Sequence, residues 1–98
     1  MNINELSIFD QVVRTTEGLE CGRVGQVKTI DYTRNRVRVC WNGFYSISEK
    51  SIVNWDYSRH TWVKATEINL ASIPFEIIEV PIERGVFKGG TKRKYITK

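Results

Sequence analysis

"GRVGQVKTIDYTRNRVRVCWNG", residues 22–43, decides the fold class of this chain. Its second half alternates apolar and basic residues, a pattern typical of a β-strand whose side chains point to opposite faces in turn. We therefore expect Val37, Val39 and Trp41 to face a core. Arg36 and Arg38 would then lie together on the opposite face of the same strand.

The first half of the stretch predicts a second strand that is bent. Its two-residue period slips between Val27 and Ile30, and Gly25 stands just before the slip. A β-bulge or a strong bend explains both features, because an extra residue shifts the side-chain alternation and glycine tolerates the distorted backbone.

Turn signals divide the rest of the chain into short segments. "DYTRN", residues 31–35, turns the chain between the two strands, and Asn42-Gly43 predicts a type I′ hairpin turn that returns through residues 44–48. We expect a single helical turn at residues 48–51 and a looser hairpin centred on Ser58-Arg59. The remaining expectations are a strand at 8–14, a loop at 15–22, a short helix or link at 67–72, and an edge strand at 75–82 that contains Pro81.

Five or more short strands without crossover helices predict an all-β fold, either a small antiparallel barrel or a sandwich. The bent second strand favours the barrel, because small barrels need such bends to turn corners.

Composition limits the classes of protein to consider. Ninety-eight residues with three Trp, four Tyr and four Phe suffice for one modest core. No apolar run is long enough to cross a membrane, and the first ten residues lack the features of a signal peptide, so we expect a cytoplasmic protein. Cys21 and Cys40 are expected to be reduced, with Cys40 packed as a small apolar side chain.

Charge is distributed unevenly along the chain. The net charge is +4, and residues 84–98 hold six basic residues and no acidic one, so the first 83 residues carry −2. We therefore expect a folded domain over residues 1–83 and a basic, mobile tail over residues 84–98.

The chain also resembles a known family. The segment "FDQVVRTTEGLECGRVGQVKTIDYTRNRVRVCWNGFYSISEKSIV", within residues 8–53, looks like the SH3-like barrels of the KOW and Tudor type. The resemblance implies a small SH3-like antiparallel barrel, here with an additional C-terminal strand and the basic tail, and it implies a binding module. KOW domains commonly contact RNA or the ribosomal and transcription machinery, and Tudor domains read methylated ligands through aromatic cages. Residues 54–98 depart from the family pattern. The matching elements are Val12-Val13, residues 22–27, the alternating Val37-Val39-Trp41, Gly43, residues 45–47, and a helical turn with a last strand at 49–53.

Two groups of side chains are candidates for binding nucleic acid. Arginines two apart on a strand lie about 7 Å from each other, which approximates the phosphate spacing along a single strand. The alternative is an ordinary solvated sheet face. Aromatic rings beside cations can stack on bases, and the alternative is a small core. The phosphate-binding candidates are Lys28, Arg34, Arg36 and Arg38, and the stacking candidates are Trp55, Tyr57 and Trp62, with Arg59 among them.

The basic tail is the third candidate. Lys88, Lys92, Arg93 and Lys94 would add sequence-independent attraction to a nucleic-acid backbone, or they would serve as a solubilising end or a contact to an acidic protein.

Catalysis and metal binding are not expected. Asp56, Ser58 and His60 are too close in sequence to converge on a substrate as a triad, and no nucleophile elbow is present. One His and two isolated Cys lack metal-ligand spacing, so no cofactor is expected. We predict a non-enzymatic module that binds RNA or single-stranded DNA. The alternative is a protein-interaction adaptor or docking subunit, and pairing of the Pro81-containing edge would allow a homodimer.

Overall fold

The computed structural model describes residues 1–84 and 87–98, with side chains at all of these except 83–84 and 87–89. Its described part contains strands and two short 3-10 helices, Ile3–Glu5 and Ala65–Glu67, which confirms the all-β prediction. No helix in this part of the chain has the length and apolar character needed to span a membrane. The strands are β1 (Gln11–Arg14), β2 (Arg23–Asp31), β3 (Arg36–Ser46), β4 (Ser51–Lys64), β5 (Ile68–Leu70), β6 (Phe75–Arg84) and β7 (Phe87–Thr97).

Five strands form one antiparallel sheet in the order β4-β3-β2-β1-β5, and β6 pairs with β7 in a separate two-stranded sheet. Every strand of the larger sheet contributes a buried side chain to one core cluster. The cluster comprises Ile3, Leu6, Val12, Val27, Val37, Val39, Trp41, Val63, Ala65 and Ile68.

The predicted alternation in β3 is confirmed. Val37, Val39 and Trp41 are all buried, with Trp41 only 2% exposed, and the Trp41 indole N–H donates to the Thr61 hydroxyl at 2.6 Å. Both cysteines are free and buried. Burial raises the pKa of the Cys21 thiol, and the nearby Arg93 charge opposes this rise.

The predicted bend in β2 is also confirmed. The pairing of β2 with β3 shifts register between Val24 and Gly25 and again between Val27 and Thr29. Gly25 lies where the two backbones approach closely, since a Cβ atom there would be 2.5 Å from the Cys40 carbonyl oxygen. Glycine is required at this position because no side-chain carbon fits.

Three predicted turns are wrong. Asn42-Gly43 lies inside β3, where a Cβ on Gly43 would be 2.6 Å from the Val53 carbonyl oxygen, so glycine serves close strand approach rather than a turn. The chain reverses instead at residues 47–50. The turn there is non-helical, so the helical turn predicted at residues 48–51 is also wrong. Ser58-Arg59 lies within the continuous strand β4, and the 3-10 helix comes at Ala65–Glu67, directly before β5.

The segment predicted to be a mobile tail forms β7, paired along its length with β6. This hairpin packs against the larger sheet through a second apolar cluster, in which Ile77 is 1% exposed beside Cys21 and Tyr45. Gly18 and Arg93 exchange backbone hydrogen bonds, which ties β7 to the loop before β2. The segment is held against the larger sheet by Tyr95, which packs against the second apolar cluster, and by Arg93, which lies in the middle of a run of three basic residues and donates to the Tyr45 carbonyl oxygen.

Candidate nucleic-acid interface

The pairing of β2, β3 and β4 places several cations on one surface. Residues paired across neighbouring antiparallel strands point to the same side of a sheet. Arg36 is paired with Lys64, and Arg38 with Trp62, while the residues between them in β3 face the core. We call the surface that carries these four side chains the outer face.

On the β4 side of the outer face, a cation is stacked on an aromatic ring. The Arg36 guanidinium carbon lies 4.5 Å from the centre of the Trp62 ring, well within the distance for a cation–π contact. Trp62 nevertheless remains 42% exposed. The Arg36 Nε atom has no hydrogen-bond partner among the described residues. This Nε atom is itself buried, whereas the Arg36 side chain as a whole is 36% exposed, so only the rest of the guanidinium group is open to solvent.

Asp31 is the acidic residue closest to Arg36. Its carboxylate lies 3.8 Å from Arg36 Nε and 4.0 Å from Arg34 Nε. The Thr33 hydroxyl donates to Asp31 at 2.6 Å, and this bond, together with the Arg34 backbone N–H and the two arginine charges, lowers the pKa of that carboxyl. Asp31 is thus charged at neutral pH and offsets part of the positive potential at this end of the outer face.

Lys28 and Arg38 extend the basic surface away from Asp31. Arg38 is exposed and makes no ion pair among the described residues. Lys28 is the extra residue in the second β2 bulge, and its ammonium donates to Gln26 at 2.9 Å. Gln26 is paired with Cys40, on the same side as Arg38, so the bulge directs the Lys28 ammonium onto the outer face.

The predicted stacking residues do not form one platform. Trp55 and Tyr57 stack on each other at 5.1 Å, and Trp55 also contacts Phe44 and the Arg23 guanidinium. Trp62 has no ring neighbour among the described residues and contacts Arg36 instead. Trp62 is separated from Trp55 and Tyr57 because residues 55–58 of β4 bulge opposite the single β3 residue Asn42.

Arg59 differs from Trp62 in its pairing. It is paired with the core residue Trp41, whereas Trp62 is paired with Arg38. Arg59 lines a small cavity with Arg14 and Arg23, and Trp62 also borders this cavity. Arg14 is neutralised by Glu20 and Glu67, each at 3.2 Å. Exposed Arg34 lies in the turn before β3, beside Asp31.

The basic residues of the C-terminal segment have separate roles in the structure. The Arg93 guanidinium donates to the Tyr45 carbonyl oxygen, and Lys92 forms an ion pair with Glu17 at 2.9 Å. Both side chains therefore hold the hairpin against the sheet. Lys94 is exposed, and the side chain of Lys88 lies outside the described residues.

Lys64 joins the outer face but was absent from the sequence-based candidates. The spacing of His60, Trp62 and Lys64 in the sequence could have identified Lys64, because these residues alternate along β4 as the arginines do along β3. The sequence suggests a turn at Ser58-Arg59, which hides this alternation. Among the described residues, no group of three or more His, Cys, Asp or Glu side chains is arranged to hold a metal ion.

Comparisons of the chain with protein-family models, with curated proteins and with solved structures find no match.

Proposed function

We propose that this chain is a non-enzymatic module that binds RNA or single-stranded DNA through the outer face of β2–β4. In this proposal the domain is an SH3-like barrel. The supporting features are a five-stranded antiparallel sheet whose strands share one core cluster, and a single short helical turn that leads directly into the last strand of that sheet. The turn and last strand lie at residues 65–70, later than the resemblance implies. A cytoplasmic location remains a prediction from the sequence.

The observation that carries the proposal is the Arg36–Trp62 stack, with Arg38 and Lys64 on the same surface. Phosphate contacts by Lys and Arg supply most of the non-specific affinity for nucleic acid. An exposed ring beside them can stack on a base, and such stacking tolerates any sequence. The outer face offers both kinds of contact within one strand pair.

A second candidate function is supported by a different surface. Leu19 is 83% exposed and Tyr57 65% exposed, and Leu19 lines a shallow cavity with Phe44 and Trp55. Exposed apolar patches of this kind often mark protein-interaction sites. This surface would serve the adaptor alternative, and the Pro81-containing edge strand β6 would serve a homodimer.

Fluorescence anisotropy with a labelled single-stranded RNA and single-stranded DNA tests the proposal across a range of salt concentrations. We expect binding at about 50 mM salt that weakens steeply as salt rises, because bound cations release counterions from the phosphates. The double variant Arg36→Ala plus Arg38→Ala should weaken binding and flatten the salt dependence. Absence of binding at about 50 mM salt would leave the adaptor alternative.

A charge-matched control is available in the β3–β4 turn. Lys50 is exposed and lies twelve residues after Arg38 along the chain, beyond the end of β3. Lys50→Ala removes one positive charge, as Arg38→Ala does. We expect Arg38→Ala to weaken binding several times more than Lys50→Ala. Equal losses would show that net charge, rather than the outer face, determines affinity.

A further inference from the structure

Phe9 occupies a backbone conformation that disfavours its side chain. Its φ is +76°, and the Asp10 N–H donates to the Ser7 carbonyl oxygen at 3.1 Å, which closes a four-residue turn with Phe9 in third position. A positive φ at that position, with none at Ile8 before it, defines a type II turn, where glycine is normally found. A bulky residue there is a genuine conformational outlier.

The ring of Phe9 is not needed for the core. It is 67% exposed and belongs to neither apolar cluster. Neither the turn nor the packing therefore accounts for an aromatic side chain at this position. Residues held in such outlying conformations cluster at ligand-binding sites.

The backbone around Phe9 is fixed to β2 at the bulge that holds Lys28. The Phe9 N–H donates to the Val27 carbonyl oxygen at 2.8 Å, and the Gln26 side-chain amide donates to the Phe9 carbonyl oxygen at 3.3 Å. The Lys28 ammonium lies 5.6 Å from the centre of the Phe9 ring. The ring is thus held at the margin of the outer face with a cation against it.

The two margins of the outer face have the same construction. At one margin Lys28 contacts the exposed ring of Phe9, and at the other Arg36 contacts the exposed ring of Trp62. Arg38 lies between them. Neighbouring strands are about 4.8 Å apart, so three strand spacings separate the two rings by roughly 14 Å along the sheet.

We propose that Phe9 is a second base-stacking residue, and that the outer face binds an unpaired strand with one base on Phe9, one on Trp62 and the intervening phosphates on Lys28 and Arg38. This inference rests on the proposed function. It specifies a single strand because base faces are available for stacking only when bases are unpaired.

The test uses two labelled oligonucleotides of equal length, an oligodeoxythymidine and one with abasic sites in place of the bases. Both carry the same phosphates, but only the first has bases to stack. We expect Phe9→Leu to weaken binding to oligodeoxythymidine by at least about fivefold, the lower end of the effect of losing one stacked base. Its affinity for the abasic strand should not change. Phe9→Tyr keeps the ring and should bind as the wild type does.

Control variants separate the possible failures. Ile8→Ala alters an exposed apolar neighbour and should leave binding to both oligonucleotides unchanged. If the wild type binds both strands and Phe9→Leu binds oligodeoxythymidine equally well, the stacking role is refuted while the proposed function stands. Equal losses on both strands would also refute stacking. If the wild type binds neither of these strands nor oligouridine at about 50 mM salt, the proposed function itself fails. If it binds oligouridine alone, the same Phe9→Leu comparison on oligouridine and its abasic counterpart decides the stacking role.

Discussion

Replacing Gly25 by alanine tests the strand crossing on which the fold depends. Gly25 is paired with Val12 of β1 and with Trp41 of β3, so it lies at the centre of three strands. An added Cβ would lie 2.5 Å from the Cys40 carbonyl oxygen and 2.7 Å from a Val39 methyl carbon. Ordinary van der Waals contact begins near 3.4 Å, so β2 and β3 would have to separate locally by almost 1 Å.

The cost of that separation follows from three contributions. Overpacking a tight interior costs about 1–3 kcal/mol. Weakening a neighbouring ladder hydrogen bond adds about 1 kcal/mol. Alanine restricts the unfolded chain, which returns about 0.4–1 kcal/mol. We therefore expect the free energy of unfolding to fall by about 1–3.5 kcal/mol, which lowers the melting temperature of a domain of this size by roughly 5–25 °C.

Thermal unfolding followed by circular dichroism measures this change. Ser72→Ala, in an exposed turn after β5, is the control and should change stability by no more than about 0.5 kcal/mol. A melting temperature for Gly25→Ala within about 2 °C of the wild type would refute the reasoning, because the two strands would then have room that the structure denies.

Three further predictions concern the core, an acidic side chain and the hairpin. Thr61→Val removes the acceptor of the Trp41 indole N–H and should cost about 1–3 kcal/mol in denaturant unfolding, whereas Thr61→Ser should restore most of it. Asp31 should titrate below its ordinary pKa in NMR, and Thr33→Ala should raise that pKa. Because the pKa is lowered on folding, the stabilisation by Asp31 is present above its unfolded pKa and lost as pH falls through the folded value. Ile77→Ala should lower the free energy of unfolding by about 2–5 kcal/mol in one cooperative transition, and a separate early transition would show that the hairpin unfolds alone.

The strands that carry the core could be predicted because burial with a period of two is a local property of the sequence. Val37, Val39 and Trp41 are buried as their spacing indicates, and the slip after Gly25 corresponds to observed bulges in β2. Each of these features is contained within a few adjacent residues.

The turns could not be predicted because the residues that suggest them serve long-range contacts. Gly43 is small because the Val53 backbone approaches it from β4, which no local pattern reveals. The actual reversal ends at Lys50, a residue with a positive φ of +52° in a segment without glycine. The turn preference of the Asn-Gly dipeptide is therefore overridden by strand pairing.

The outer face was predictable only in part. Arg36 and Arg38 share a face by spacing alone, but the contact between Arg36 and Trp62 depends on the register of β3 with β4. That register is set by the bulge at residues 55–58, which also separates Trp62 from Trp55. Phe9 could not be predicted as a site residue, because the position of its exposed ring depends on a backbone conformation that the sequence does not indicate.

An NMR titration with single-stranded RNA, followed on the three tryptophan indole N–H signals, tests whether the outer face is the surface that binds nucleic acid. Trp62 reports on the outer face, Trp55 on the surface with Tyr57, and Trp41 on the core. We expect the Trp62 signal to shift with added RNA, while the Trp41 and Trp55 signals stay in place. A titration that moves Trp55 and leaves Trp62 unchanged, or that moves none of the three, would contradict this expectation.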